Sequence, residues 1–324
     1  MRTYSRLWEV HGIRAALVLC VATACQQPAI ASQPFSFNVD AGVRWEDNLS
    51  LSPKGKDKVD DVTTHIGFNG DYEAFTTNTS QFTIGAGVYY DYVSDTTDLS
   101  NYGAKLSLLY RHEFDTSLTA PWFSLGGDGQ WLEYKDSDIR DGYIVTGTAT
   151  IGKRLNSKVG ISGGYKYFIR RSTDDNPDGQ DGWWGEDVQD DWGDWIPGAW
   201  NDPWKDADEV FDLDRHNFFA RIDFAMNEAT RFYGDLTYFD GDVAASGRSF
   251  NNGARFSSAK DSAFGSDYVA WQIDADGFIS QLGVSHSFTE KFSIDAFVEY
   301  LTADGESGND YENTAIQALG VYRF

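Results

Sequence analysis

The segment Phe35-Ser-Phe-Asn-Val-Asp-Ala-Gly-Val-Arg-Trp-Glu46 has an apolar residue at every odd position and a polar or small residue at every even position. The segments 82–92 and 159–170 follow nearly the same two-residue period. Because successive side chains of a β-strand point to opposite faces, each segment predicts a strand with one apolar and one polar face.

Segments of this kind recur along the whole chain. We predict twelve strands, at 35–46, 62–75, 81–93, 101–114, 121–134, 142–154, 158–171, 215–226, 230–242, 272–288, 291–302 and 312–324. Each is at least as long as the roughly 9–11 tilted residues that cross the hydrocarbon layer of a bilayer. The fold class that this pattern predicts is all-β, a closed antiparallel up-and-down transmembrane β-barrel of about twelve strands.

The lengths of the links between strands predict how the barrel is oriented. The even-numbered links are short, whereas links one, seven and nine are long; the short links are 76–80, 115–120, 155–157, 227–229 and 289–290. In outer-membrane barrels the short turns face the periplasm and the long loops face outward. We therefore expect both termini in the periplasm of a bacterium and the barrel in its outer membrane.

A soluble β-sandwich is the main alternative for an alternating sequence. Its strands are usually about 5–6 residues long, which is half the length predicted here. The chain is also 15% aromatic and contains 32 glycines but only 7 prolines. Aromatic residues form the interfacial girdles of membrane barrels, and proline is excluded from the interior of strands, so the composition favours the barrel.

The N-terminal residues 1–31 predict a cleaved secretory signal. Basic residues precede the apolar run Ala15–Ala24, and Ala29-Ile-Ala31 provides the small residues of a cleavage site. A lipidated Cys25 is the alternative, although the residues before it lack the usual large aliphatic side chain. Cleavage after Ala31 leaves a mature barrel of residues 32–324 without cysteine, which excludes disulfides, thiolate metal sites and cysteine nucleophiles.

The last eight residues, Gln317-Ala-Leu-Gly-Val-Tyr-Arg-Phe324, resemble the C-terminal assembly signal of bacterial outer-membrane β-barrel proteins. That signal ends in Phe and has aromatic or apolar residues at alternate positions before it. Phe324, Tyr322, Gly320, Ala318 and Ile316 follow this alternation. The resemblance implies recognition by the barrel-assembly machinery and an environment of outer-membrane lipid and lipopolysaccharide, but it does not name a function.

If the apolar faces contact lipid, the polar faces line the interior and set its selectivity. The basic residues predicted to line the lumen are Arg44, Lys105, Arg111, Arg154, Lys166, Arg170, Arg221, Arg231 and Arg323. The acidic ones are Asp40, Glu46, Asp71, Glu73, Asp91, Glu113, Asp128, Asp223, Asp235, Asp295 and Glu299. Unpaired charges are costly in a dry core, so these groups either line water or pair across the barrel.

Both outcomes are open from the sequence: a closed interior held by ion pairs, or a narrow aqueous pore in which rings of charge bias permeation. Twelve strands give a lumen between that of filled eight-stranded barrels and that of open sixteen-stranded porins. The architecture resembles small twelve-stranded porins for acidic sugars, which present basic tracks to their substrates. Here acidic residues outnumber basic ones in the predicted lumen, so we expect a small neutral or cationic solute.

The net charge of −24 excludes nucleic acid as a partner, and much of this charge lies in link seven. Residues 172–214 contain fifteen acidic residues against one lysine, and six of the eleven tryptophans: Trp183, Trp184, Trp192, Trp195, Trp200 and Trp204. We predict an extracellular loop, with the first four of these tryptophans as ligand contacts. It could fold inward as a constriction, stack on glycans, or form an adhesive or lipid-contacting surface that needs divalent cations.

Within this loop, Asp174-Asp-Asn176-Pro-Asp178-Gly179 matches the start of a calcium-binding loop. Position twelve is Gly185 rather than the expected Glu, so an EF-hand is excluded. Asp174, Asn176 and Asp178 are the candidate Ca²⁺ ligands, and a solvated acidic turn is the alternative.

The histidines provide little support for an enzyme. None of the five occurs in the His-x-Ser arrangement of outer-membrane phospholipases, and only His216 has an aspartate close by, at Asp214. We therefore predict no catalytic residues and no enzymatic activity. The function predicted is a narrow passive, porin-like channel; the alternatives are a non-conducting surface protein whose loop binds glycan, cation or a partner, and an outer-membrane hydrolase.

Overall fold

The computed structural model describes residues 34–53, 55–173, 210–248, 258–305 and 308–324. Twelve long strands run through these residues: β1 (Phe35–Glu46), β2 (Asp61–Thr76), β3 (Ser80–Val93), β4 (Asn101–Glu113), β5 (Pro121–Tyr134), β6 (Gly142–Arg154), β7 (Val159–Ser172), β8 (Leu213–Ala225), β9 (Thr230–Gly247), β11 (Val269–Ser287), β12 (Phe292–Gly305) and β13 (Asn309–Arg323). A three-residue strand, β10 (Ser258–Lys260), lies between β9 and β11. The helices in this part of the chain are single 3₁₀ turns, and none could span a membrane.

The sheet is antiparallel and closes on itself. Each long strand pairs with its neighbours, β9 pairs with β11, and β1 pairs with β13 from Asn38 opposite Arg323 to Glu46 opposite Ala315. The short strand β10 pairs with the start of β11 and does not interrupt the ring. The predicted closed, up-and-down barrel of twelve strands is confirmed.

The predicted strands match the observed ones except at one end of the barrel. There, β9 continues to Gly247 and β11 begins at Val269, several residues beyond the predicted limits. Val243, Ala244 and Ala245 are all buried, so both faces of this extension are covered. A strand that is covered on both faces has no polar–apolar alternation, which is why its end could not be found from the period of two.

The outward faces of the strands are apolar and the inward faces carry the polar groups. Phe37, Ile66 and Leu282 are exposed on the outside, whereas Asp40 and Gln317 are buried inside. Such an exposed apolar surface fits the lipid-facing band of a membrane barrel.

Tight turns join the strands at one end of the barrel, which we call the turn end. After β6 and β8 the side chains of Asn156 and Asn227 accept bonds from the backbone N–H groups of Val159 and Thr230, at 2.9 and 2.8 Å. Asparagine closes short turns in this way because its side-chain oxygen replaces a backbone acceptor.

The opposite end is covered by packed loops. We call this structure the cap, and it comprises residues 47–53, 55–60, 94–100, 135–141, 210–212 and 258–268. Leu49, Leu99 and Ala263 form one small core between three of these loops. A second core joins Ile139 and Phe211 to side chains of the upper barrel wall. The cap therefore narrows one mouth of the lumen.

Candidate functional site: the lumen and its cap

The centre of the cap is an aromatic ring held between two guanidinium groups. Phe211 is fully buried, and its ring centroid lies 4.6 Å from Cζ of Arg140 and 5.4 Å from Cζ of Arg170. A cation over the face of an aromatic ring is attracted by the ring's quadrupole, and more strongly where water is excluded. Phe211 thus compensates in part for the burial of two positive charges.

A buried ion pair connects the same arginine to the loop that contains β10. Arg140 donates to Asp261, and Ser246 Oγ also donates to this carboxylate. Arg170 donates from Nη2 to the carbonyl oxygen of Arg140 at 2.7 Å. Burial lowers the pKa of Arg140, whereas the charge of Asp261 acts in the opposite direction. The cap is therefore held together by a dry polar network that includes Arg170, one of the predicted lumen residues.

Ion pairs cover one part of the lumen wall below the cap. Arg44 on β1 lies 2.6 Å from Glu299 on β12 and 3.1 Å from Glu46 on its own strand. Asn313 donates to the same Glu46 at 3.0 Å. These contacts cross the seam between β1 and β13, so the predicted lumen residue Arg44 ties strands together where the barrel closes.

A second group of ion pairs lies on β8 and β9. Arg221 is 3.2 Å from Asp223 and 3.0 Å from Asp235, and Arg231 is 3.7 Å from Asp223. The hydroxyl of Tyr233 donates to Asp295 at 2.7 Å. Four residues that were predicted to line the interior are thus paired with one another, as expected for a closed interior held by ion pairs: Arg221, Arg231, Asp223 and Asp235.

On β1, β2 and β3 a histidine lies between two carboxylates. His65 Nε2 is 2.6 Å from Asp40 and Nδ1 is 2.5 Å from Asp91. Because an ionised carboxylate only accepts hydrogen bonds, both ring nitrogens must donate, which makes this side chain an imidazolium. Asp40 and Asp91 were predicted to line the lumen, as the structure shows, but His65 was not. His65 lies on the same face of β2 as the predicted lumen residue Asp71, and this shared face would have indicated that His65 also points inward.

The remaining wall, formed by β2 to β7, carries charges that are not paired. Among the described residues no opposite charge lies within 4.0 Å of Asp71, Lys105, Asp128 or Lys166. Lys105 is exposed, and the inward-facing side chain of Leu109 on the same strand is 45% exposed. Water can therefore reach the inward face of β4, whereas Lys166 on β7 is buried.

Two predicted lumen residues lie close to the turn end. Arg111 is 3.0 Å from Glu113, and its Cζ lies 4.1 Å from the centroid of the Trp122 ring. Arg154 is the last residue of β6, on the inward face, and is half-buried. These arginines therefore lie at the turn end of the barrel rather than in the middle of the lumen.

Two of the histidines, His216 and His112, lie beside hydroxyl groups. His216 lies on the outer face and contacts the hydroxyl of Tyr165 at 2.6 Å, and His112 contacts Ser80 Oγ at 2.8 Å. Neither imidazole is hydrogen-bonded to a carboxylate among the described residues, so the third group that orients a catalytic base is missing there.

The predicted loop contacts Trp183, Trp184, Trp192 and Trp195 and the predicted calcium ligands Asp174, Asn176 and Asp178 lie outside the described residues. The predicted signal peptide, residues 1–31, also lies outside them. Within the described ranges no group of three or more histidine or carboxylate side chains has the arrangement of a metal site.

Comparison with known proteins identifies the fold. No protein family and no curated protein matches the chain significantly. Among solved structures, an outer membrane channel from Pseudomonas putida F1 aligns over 92% of this chain and 100% of its own, with 10% identity and a TM-score of 0.51. The KdgM porin aligns over 89% of this chain and 99% of its own, with 8% identity and a TM-score of 0.46. The Salmonella typhi outer membrane phospholipase aligns over 92% of this chain and 94% of its own, with 10% identity and a TM-score of 0.41. The chain is a twelve-stranded barrel of the outer-membrane type.

Proposed function

We propose that the chain forms a narrow outer-membrane channel for small polar solutes, with the turn end in the periplasm and the cap at the cell surface. The observation that carries the proposal is the water-accessible inner face of β4, where Lys105 and Leu109 face inward and are exposed. A barrel that served only as a rigid anchor would gain stability from filling or pairing such positions. The unpaired charges here suit a path for polar molecules.

The charges of this wall also bear on the solute. Asp71 and Asp128 balance Lys105 and Lys166, so the unpaired groups sum to zero and favour neither strong anion nor strong cation selectivity. The ion pairs of Arg221 and Arg231 on β8 and β9 contribute no net charge, whereas the single Arg44 at the β1–β13 seam faces two glutamates and leaves one formal negative charge. This arrangement supports a neutral or weakly cation-preferring path.

Single-channel recording in planar bilayers tests the proposal. We expect the refolded mature protein to give small, discrete openings, because the cap restricts the outer mouth. A protein that inserts, as shown by heat-modifiable migration in electrophoresis, and yet never opens would contradict it.

The second candidate is a non-conducting surface protein, and the cap supports it. A cleft of about 400 Å³ opens between three loops and is lined by Val59, Asp95, Thr96, Thr97, Asp98, Ser262, Ala263, Phe264 and Gly265. Polar groups beside one aromatic ring suit a sugar ligand better than a lipid. Absence of openings together with saturable binding of surface glycans would favour this candidate over the channel.

A further inference from the structure

Two basic side chains below the cap have no carboxylate beside them: Arg215 on β8 and Lys166 on β7. Both lie on inward strand faces as diagonal neighbours, because Phe168 pairs with Arg215 and Lys166 pairs with Asn217. Diagonal neighbours on one face of a sheet are about 7–8 Å apart, a distance that long side chains can bridge. We call these two residues the cationic pair.

Aromatic rings hold the guanidinium group of Arg215 in place. Its Cζ lies 5.0 Å from the centroid of the Phe168 ring on β7 and 5.2 Å from that of the Phe239 ring on β9. Both phenylalanines are buried, so neither ring is free to move away. The faces of the rings attract the cation, but they offer no oxygen to its N–H groups. The arrangement therefore fixes the position of a guanidinium group and leaves its hydrogen bonds unmade.

The donor atoms of the cationic pair are in contact with water. Within the described part of the chain, the two Nη atoms of Arg215 and Nζ of Lys166 make no hydrogen bond and have no carboxylate within 4.0 Å. Nε of Arg215 is both unbonded and buried, whereas neither Nη atom is buried. Nζ of Lys166 is not buried either, although most of this side chain is. Three cationic donor atoms therefore face the lumen without a protein acceptor.

The carboxylates that act on Lys166 are shared or already paired. The strongest of them is Asp128, which lies two strands away on β5 and also acts on Lys105. Asp235 and Glu299 act on Lys166 more weakly, and each already lies 3.0 Å or less from an arginine. Lys166 thus has no counter-ion of its own.

Arg215 has still less compensation for its charge. Among the described residues the carboxylate that acts on it is Asp242, which lies on the outward face of β9 and accepts the backbone N–H of Asp214 at 2.9 Å. Arg215 in turn acts on Lys166 more strongly than any carboxylate does. Two like charges are therefore held next to each other in the wall, where an anionic group between them would offset their repulsion.

We propose that the cationic pair binds the carboxylate group of a small organic solute beneath the cap; this inference rests on the proposed channel function and names a solute class for it. A carboxylate accepts two parallel hydrogen bonds from a guanidinium group, and an ammonium group adds a third charge-assisted bond. The site is local, since elsewhere on the wall two glutamates face Arg44 and two aspartates face His65. An anionic solute is therefore retained at the cationic pair, which should slow its passage.

Ligand-observed NMR titration of the refolded protein in detergent tests the site without requiring conduction. Lactate and lactamide have nearly the same shape, but only lactate carries a carboxylate. We expect saturable binding of lactate and none of lactamide. Arg215→Gln should weaken lactate binding at least about tenfold, because hydrogen bonds to charged groups contribute a factor of this size. Lys166→Met should weaken it as well, and Arg215→Lys, which keeps the charge but not the planar fork of donors, should weaken it less than Arg215→Gln.

Arg154→Gln is the matched control. It removes an inward-facing arginine at the turn end, away from the cationic pair, and should bind lactate like the wild type. Heat-modifiable migration in electrophoresis shows that each variant is folded. Equal lactate binding in the wild type, Arg215→Gln and Lys166→Met would overturn the inference. Chloride that binds as tightly as lactate would also overturn it, because the site would then be one for any small anion.

Single-channel recording separates this inference from the channel function. In a conducting barrel, lactate should reduce the ion current saturably, and Arg215→Gln should remove this block. A barrel that conducts but does not bind lactate contradicts the inference alone. A barrel that binds lactate through Arg215 and never opens contradicts the channel and supports the site.

Discussion

Replacement of Phe211 by alanine should open the cap. The change removes a fully buried ring and its contacts with the guanidinium groups of Arg140 and Arg170, at 4.6 and 5.4 Å. Truncation of a buried Phe costs about 3–5 kcal/mol, and two desolvated cation–π contacts account for about 1–4 kcal/mol within that loss. The two arginines would keep their charges but lose the ring between them, so water should enter the cap.

We expect this loss to be local. The barrel wall is held by a closed ring of backbone hydrogen bonds that does not include Phe211, so the temperature at which the barrel unfolds should change little. The single-channel conductance should rise at least about twofold, because the narrowest section of a pore dominates its resistance. Limited proteolysis should also cut the cap loops faster, since local opening exposes them.

The control is Phe278→Ala, which removes the same side chain from the outer face of β11, where Phe278 is exposed and packs on Tyr238. This variant should conduct like the wild type. If Phe211→Ala leaves both conductance and proteolysis unchanged, the cap does not restrict the mouth and the role we assign to Phe211 is wrong.

Three further predictions concern charged groups. Lys105→Glu should shift the reversal potential in a salt gradient toward cation selectivity, because the open wall changes by two charges, and an unchanged potential would place the path elsewhere. Asp261→Asn should loosen the cap by about 3–5 kcal/mol, since it leaves the buried Arg140 without its counter-ion; hydrogen exchange of the cap amides that stayed as slow as in the wild type would refute this. Burial raises the pKa of Asp98, and so does the hydrogen bond that its protonated form donates to Asp136. Its contribution to cap stability should therefore be complete below the unfolded pKa and be lost as the pH rises through the folded pKa. Hydrogen-exchange rates of the cap amides from pH 3 to pH 7 in the wild type and in Asp98→Asn would show this loss, and equal pH profiles would contradict it.

Much of the barrel could be predicted because its physical environment is simple. Lipid outside and polar groups inside impose a period of two on every strand that crosses the membrane, and the predicted limits of β1 and β5 agree with the structure. The pattern fails at β9 and β11, where cap and wall cover both faces. The alternation can be detected only where the two faces of a strand meet different environments, so it gives no signal for a strand that is buried on both faces.

The site was harder to predict for a related reason. The alternation shows that Lys105 and Arg44 both point inward, but it contains no information about distances across the barrel. Whether such a charge pairs or meets water depends on which residues of distant strands lie opposite, as Glu299 does for Arg44. The cap was missed because Phe211 lies in a link without periodicity, where no pattern distinguishes an inward ring from a solvated one.

The pairing of β1 with β13 has a consequence for biogenesis. Asn38 lies opposite Arg323, so the contact that completes the ring joins residues almost as far apart along the polypeptide as the barrel allows. A nascent or truncated chain cannot form it and leaves two strand edges with unsatisfied amide groups, which are templates for aggregation. We therefore expect that loss of the final strand leads to degradation rather than to a smaller barrel.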